Sequence, residues 1–209
     1  MAKSLGKRRN LAKDQRELEI KEAALKIFAT KGYHRTTMAE IAMEAGYGKG
    51  TIYWYWKSKE QLYFALISDL HDEILSLVDE AGTAEGSALE KIKNLADGMI
   101  ETYYRNREYC KLSWRMRAEE LQAFSPEYVE ALHNYVMRTR QALETLLKQA
   151  SEEGYFRGTD PYYLSCIILG MVEGMEIQWL EDQSTFDLRR GMDMALELLA
   201  NLVPGSGGS

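Results

Sequence analysis

The sequence predicts an all-α protein of about nine helices with no strand. Apolar residues recur at three- and four-residue steps through most of the chain, helix-start signals stand in front of those runs, and only 3 prolines interrupt them. A content of 45% apolar and 28% charged residues is that of an ordinary globular protein, and 209 residues can bury a sizeable core in one or two domains. No apolar run approaches a membrane span, and the polar N-terminus lacks a signal-peptide core. Cys110 and Cys166 form no metal-ligand or redox spacing and read as buried thiols of a reducing compartment. The expectation is a cytoplasmic protein without membrane contact.

Residues 1–13, with Lys3, Lys7, Arg8, Arg9 and Lys13 around Gly6, are basic and lack periodicity. They read as a flexible arm that either reaches a nucleic acid or stays a solvated tail. From Asp14 to Lys31, the spacing of Ile20, Ala23, Ala24, Ile27 and Phe28 predicts an amphipathic helix ended by Gly32. Thr37 and Glu40 then form a capping box, and Met38, Ile41, Ala42 and Ala45 give a second helix one apolar face. Gly46, Tyr47 and Gly48 break that helix before a short third one, Lys49 to Trp56. Ser58 and Gln61 read as another capping box, opening a long helix through Leu62, Leu66, Leu70, Ile74 and Leu77 that stops near Gly82. Five more helices are expected: about Ala88 to Arg105, Glu108 to Ala123, Pro126 to Glu153, Pro161 to Leu180 and Phe186 to Leu202. Gly205 to Ser209 reads as a flexible tail.

The second and third helices, joined by a glycine-containing turn, have the outline of a DNA-binding helix-turn-helix. The third ends in four consecutive aromatics, Tyr53, Trp54, Tyr55 and Trp56, which cannot all share one buried face. Ile52 and Trp56 lie four apart and face the packing side, which leaves Tyr53 and Trp54 outside beside Lys49 and Gly50. Phosphates and base methyls suit such a surface. Charge agrees once it is divided. Residues 1–64 carry 13 Lys and Arg against 7 Asp and Glu, and residues 65–209 carry 13 against 25, so a basic module precedes an acidic body.

Little else resembles chemistry. His34, His71 and His133 form no ligand pair at helical spacing, and no nucleophile elbow or spaced carboxylate pair stands out. Gly46 to Thr51 lacks the spacing and the preceding strand of a phosphate loop. No metal, cofactor or catalytic site is expected.

The combination Thr36-Thr37, Ile41-Ala42, Ala45-Gly46, Lys49 to Tyr53 and Tyr55 to Leu62 resembles the DNA-binding domain of the TetR family of transcriptional repressors, over about Glu17 to Leu66. The resemblance implies an all-helical homodimer with an N-terminal three-helix DNA-binding domain and a larger C-terminal domain for an inducer and dimerisation. By position it implies that Thr36 and Thr37 sit where the family's second helix meets a phosphate. Lys49, Gly50, Thr51, Trp54 and Tyr55 match positions that approach bases, and Tyr53 and Lys59 match phosphate contacts. Gly48 stands where the family carries a polar cap, and Trp56 where it carries Phe. Glu173-Gly174 with Gln178-Trp179 resembles a segment of the family's C-terminal domains.

The expected organisation is an arm at 1–13, a DNA-binding domain at 14–64, a ligand-binding and dimerisation domain at 65–203 and a tail at 204–209. Tyr103, Trp114, Met137 and Trp179 are candidates for a ligand pocket, or else plain core. Arg115, Arg117, Arg138 and Arg140 would suit an anionic ligand, Glu173 and Glu176 a cation; both stay open. The family's dimer bundle implies an interface at Gly170, Gly174, Met192, Ala195, Leu196 and Leu199. The partners expected are a palindromic double-stranded operator, a small-molecule inducer and a second copy. A helical enzyme using the C-terminal pocket and an inducer-independent DNA-binding protein are the rival readings.

Overall fold

The computed structural model describes the backbone of residues 2–117 and 121–201. Among them are nine α-helices: α1 (Ala2–Arg35), α2 (Met38–Glu44), α3 (Lys49–Tyr55), α4 (Lys59–Thr83), α5 (Ala88–Arg105), α6 (Arg107–Arg115), α7 (Pro126–Glu152), α8 (Pro161–Glu181) and α9 (Leu188–Asn201). The described residues contain no strand. The tail at 204–209 lies outside them. Two expected boundaries differ. Helix α1 starts at Ala2 instead of Asp14, because residues 2–13 contain good helix formers and no proline and need no apolar stripe to continue a helix. The expected Glu108 to Ala123 helix ends as α6 at Arg115, and a 3₁₀ turn follows at Leu121–Ala123.

The chain forms two compact units, Met1–Asp69 with Glu108–Ser125, and Leu70–Arg107 with Pro126–Ser209. Helix α4 passes unbroken from one into the other at Asp69.

In the first unit, Ile20, Ala24 and Phe28 of α1, Ile41 of α2, Ile52 of α3 and Leu62 and Leu66 of α4 are all 0% exposed. This is one small core shared by four helices. An aromatic cluster extends it. Phe28 meets Tyr63 edge-on at 4.8 Å, and Phe124 lies 4.8 Å from Tyr33 and 5.3 Å from Tyr63. The later segment is tied in by hydrogen bonds: Tyr63 Oη donates to the Leu112 carbonyl at 3.1 Å, and Arg115 Nη1 to the Ala29 carbonyl at 3.1 Å.

Two devices set the helix ends around the turn. Gly32 stands at φ 76°, a left-handed conformation that breaks α1 and leaves carbonyls beyond it without helical partners. Lys59, the first residue of α4, supplies donors to them. Its Nζ donates to the carbonyls of Tyr33 at 2.7 Å, Thr36 at 3.0 Å and His34 at 3.4 Å, and sits 4.2 Å from the Tyr33 ring centroid. Thr37 then caps α2 in a full capping box with Glu40. Lys31, first, and then the Thr37 hydroxyl and N–H hold the Glu40 carboxyl down, at about 2 against the ordinary 4.5. At the far end Gly46 (φ 73°) allows the Tyr47 N–H to reach back to the Ala42 carbonyl at 2.9 Å, a Schellman stop. At the start of α4 the expected box is shifted by one residue: Ser58 Oγ accepts from the Gln61 N–H at 3.0 Å, but Gln61 Oε1 accepts from the Lys57 N–H at 2.6 Å.

In the second unit α7 packs on α5 and α8, and α9 on α5 and α8. Ile92, Met99, Leu143, Leu146, Leu147 and Val172 are among its buried side chains. Ser87 and Glu90 form a capping box on α5, and Asp160 with Pro161 starts α8. Glu73 collects the Thr102 hydroxyl at 3.1 Å, the Asn106 amide at 3.0 Å and the Arg105 guanidinium, joining α4 to the end of α5.

Replacing Lys59 by Ala removes its donors from three carbonyls, of which that of Tyr33 keeps the Thr36 N–H at 3.3 Å. It is expected to destabilise the protein by about 1–3 kcal/mol, read as a lower urea midpoint. Glu40, with its depressed folded value, stabilises the fold fully above the unfolded carboxylate range and loses that contribution as pH falls from about 4.5 through about 2. The melting-temperature gap between the protein and Glu40→Ala should therefore narrow through that window and close below it.

Candidate nucleic-acid interface

Seven residues of α3 divide cleanly between packing and presentation. Ile52 and the following Trp56 are 0% and 5% exposed, whereas Tyr53 is 44% and Trp54 61% exposed. Lys49 and Gly50 are exposed and Thr51 and Tyr55 half-buried. The division expected from helical geometry holds. No side chain caps the helix: Gly48 is the N-cap at φ −72°, and only the Thr51 N–H to Gly48 carbonyl bond of 2.9 Å closes its first turn. A Cβ at Gly48 or Gly50 would have no atom within 4 Å, so the fold does not demand glycine at either place.

Helix α1 braces α3. Tyr55 Oη donates to the Lys13 carbonyl at 3.0 Å, and Lys13 Nζ stands 5.3 Å from the Trp54 ring centroid. Trp54 meets Tyr55 edge-on at 4.7 Å, and Tyr55 stacks on Trp56 at 5.4 Å. Tyr47, in the turn, donates its hydroxyl to Glu19 of α1; that bond lowers the Glu19 carboxyl and raises the Tyr47 phenol. These ties position the turn and the aromatic face from behind.

The expected contact residues fall into two groups. Thr37, Lys49, Gly50, Tyr53 and Trp54 are exposed. Thr36 is 1% exposed and donates its hydroxyl to the Gly32 carbonyl at 2.7 Å. Tyr55 is spent on α1, and Lys59 on three carbonyls. For these three the local geometry serves presentation. Sequence reasoning passed over Met43, 79% exposed on α2, and did not place Lys13 of the basic arm beside Trp54, which depends on packing 41 positions away. An exposed Met between buried Ile41, Ala42 and the turn was the available signal for the first. Part of the basic charge is spent internally: Lys26 pairs with Glu44, Lys31 with Glu40 and Lys21 with Asp69.

The second unit holds a small apolar cavity of about 60 Å³ between α5, α7, α8 and α9 and a wider cleft of about 470 Å³ beside it. Neither is lined by Tyr103, Trp114, Met137 or Trp179. Tyr103 and Trp179 are core, at 5% and 3% exposure, with Trp179 edge-on to Tyr104 at 5.3 Å. Met137 Sδ accepts from Arg140 Nη2 at 2.8 Å, and Trp114 belongs to the first unit. Large aromatics fill the interior here, and aliphatic and methionine side chains line the space.

On α9 the apolar seam turns inward: Met192, Ala195 and Leu199 are buried and Leu196 half-buried, all lining the small cavity. The outward residues of α9 are Met194 and Leu198, 54% and 59% exposed. On α8, Tyr163 and Ile167 are exposed, and a Cβ on Gly170 or Gly174 would have no atom within 4 Å. Among the described residues no group of three His, Cys, Asp or Glu is placed to hold a metal, and no helix is long and apolar enough to cross a membrane.

The HTH-type transcriptional regulator TtgR of Pseudomonas putida is 44% identical over 54 residues, 26% of each chain. The fatty acid metabolism regulator protein of Bacillus subtilis is 22% identical over 185 residues, covering 88% of this chain and 93% of its own. The solved complex of SmeT with triclosan superposes with a TM-score of 0.77 at 22% identity, over 92% of this chain and 93% of that one, and shows the same fold. Residues 20–66 match the bacterial regulatory proteins of the tetR family, and residues 85–202 match the tetracyclin repressor-like C-terminal domain. With both halves matched and the aromatic face of α3 presented as described, the chain belongs to the TetR family of ligand-responsive, DNA-binding transcriptional regulators.

Proposed function

We propose that this regulator is a repressor that binds a palindromic operator as a homodimer and is released from it by a small-molecule inducer. The outer face of α3 carries the reading. A Trp 61% exposed, flanked by Tyr53 and Lys49 on a helix whose opposite face is locked into the core, is a surface built to meet another molecule. A major groove offers it thymine methyls, base-edge acceptors and flanking phosphates. Thr37, exposed at the start of α2, adjoins this face with its hydroxyl and N–H donating to Glu40. Lys49, Gly50, Tyr53 and Trp54 are the direct contacts in this reading. Thr36, Tyr55 and Lys59 hold them in place, and Thr51 flanks them.

One short helix per chain reads only a half-site, so a two-fold partner and an inverted repeat belong together. The outward stripe of Tyr163, Ile167, Gly170 and Gly174 on α8, with Met194 and Leu198 on α9, is the surface that a second copy would cover. The glycines permit close helix approach. The inducer would sit in the space between α5, α7, α8 and α9 and favour a dimer geometry with the wrong spacing between reading heads. The complex of SmeT with triclosan supports a small molecule as occupant.

Selection from a random DNA pool should return two inverted half-sites; recovery of no enriched sequence would remove the operator reading. On the selected site, Trp54→Ala and Lys49→Ala are each expected to cost about 1–3 kcal/mol while leaving random-DNA binding nearly unchanged, measured by anisotropy titration. Sedimentation of the full chain should give a dimer, and Leu198→Glu should shift it towards monomer. A wild-type chain that stays monomeric at all concentrations would exclude the homodimer.

A further inference from the structure

We infer that Lys13 is a positioning residue for operator recognition: its ammonium fixes the Trp54 indole for base contact and adds specificity, not general DNA affinity. The inference rests on the operator reading above and adds to it a residue upstream of the stretch 20–66 that matches the family. Lys13 belongs to the basic N-terminal run, where a lysine is ordinarily a diffuse phosphate contact. The geometry gives it a narrower task. Its Nζ stands 5.3 Å from the Trp54 ring centroid, Trp54 meets Tyr55 edge-on at 4.7 Å, and Tyr55 Oη returns to the Lys13 carbonyl at 3.0 Å. Three residues from two helices thus close a ring of contacts around the most exposed aromatic of α3.

Each link has its own effect. The Tyr55 bond holds the Lys13 backbone against α3 whatever side chain stands at 13, so the ammonium reaches the indole from a fixed point. Further along α1, Glu19 binds Tyr47 of the turn, and α1 is therefore fastened before and after the aromatic face. Lys21, Lys26 and Lys31 of the same helix face carboxylates, whereas Lys13 faces a ring. A cation over an indole is attracted by the ring quadrupole, weakly in water and more strongly once water is removed. Docking of Trp54 on base edges removes that water, so the pair strengthens on the operator. Random DNA offers the indole no matching edge, and the pair stays wet. An indole already held in one orientation also loses less side-chain freedom on binding. Both effects act through Trp54 and vanish without its ring.

In the full chain, Lys13→Met keeps an unbranched stem and the carbonyl that Tyr55 needs, and removes only the charge. Anisotropy titration should show it weakening a selected operator about threefold to fivefold, with random-DNA affinity and its salt slope nearly unchanged. Lys13→Arg, whose guanidinium also stacks on aromatic faces, should restore binding. In a Trp54→Ala background, Lys13→Met should cost nothing further. In the free protein labelled with 5-fluorotryptophan, Lys13→Met should shift the fluorine resonance of Trp54, identified by its loss in Trp54→Phe. Those of Trp114 and Trp179 should stay in place. Equal weakening on operator and random DNA, with a salt slope lower by about one unit, would make Lys13 a plain phosphate contact and overturn the inference. So would an unmoved Trp54 resonance, an operator loss that persists without the indole, or no operator loss at all. If Lys13→Met is harmless while Trp54→Ala is costly, this inference alone fails. If Trp54→Ala is itself harmless, or no operator can be selected, the reading of α3 fails with it.

Discussion

One ammonium group holds the reading head together. Gly32 ends the regular course of α1 in a left-handed step, and the carbonyls beyond it point where no helical N–H follows. Lys59 Nζ reaches three of them, at Tyr33, His34 and Thr36, from the first residue of α4. The start of α4 is thereby bound to the end of α1 and to the residue before the α2 cap. Tyr33, beneath the same ammonium, is also a member of the aromatic cluster with Phe28, Tyr63 and Phe124. A lysine at a position that resembles a phosphate contact also braces the fold from within, and arginine, with its planar fork, would not reproduce three diverging bonds.

Helix α3 depends on that frame more than any other element. Seven residues without a side-chain cap are too few to hold a helix alone in water. Burial of Ile52 and Trp56 supplies the missing stabilisation, and the Tyr55 bond to the Lys13 carbonyl fixes its rotation. The exposed face follows from the buried one. Trp54 is outside because Ile52 and Trp56 are inside, and Lys13 over its ring limits how far the indole can swing.

The C-terminal unit solves a different problem, which is to keep apolar space open inside an otherwise packed bundle. Tyr103 and Trp179 are core aromatics, with Trp179 against Tyr104 and His71 stacked on Tyr135. Aliphatic and methionine side chains are left to the cavity walls.

The sequence by itself determined the helix order, the capping box at Thr37, the proline starts at Pro126 and Pro161 and the two faces of α3. All of these arise within a few residues, where spacing and cap chemistry act directly. Tertiary structure decided what depends on distant partners. Residues 108–125 joined the first unit because Leu112 and Arg115 find Tyr63 and Ala29 there. Lys59 and Tyr55 became braces because open carbonyls lay within reach. The apolar seam of Met192, Ala195 and Leu199 turned inward, leaving Met194 and Leu198 outside, because α9 has apolar residues on both faces and only its neighbours α5 and α8 distinguish them. Periodicity identifies a face; which face is buried is settled by what packs against it.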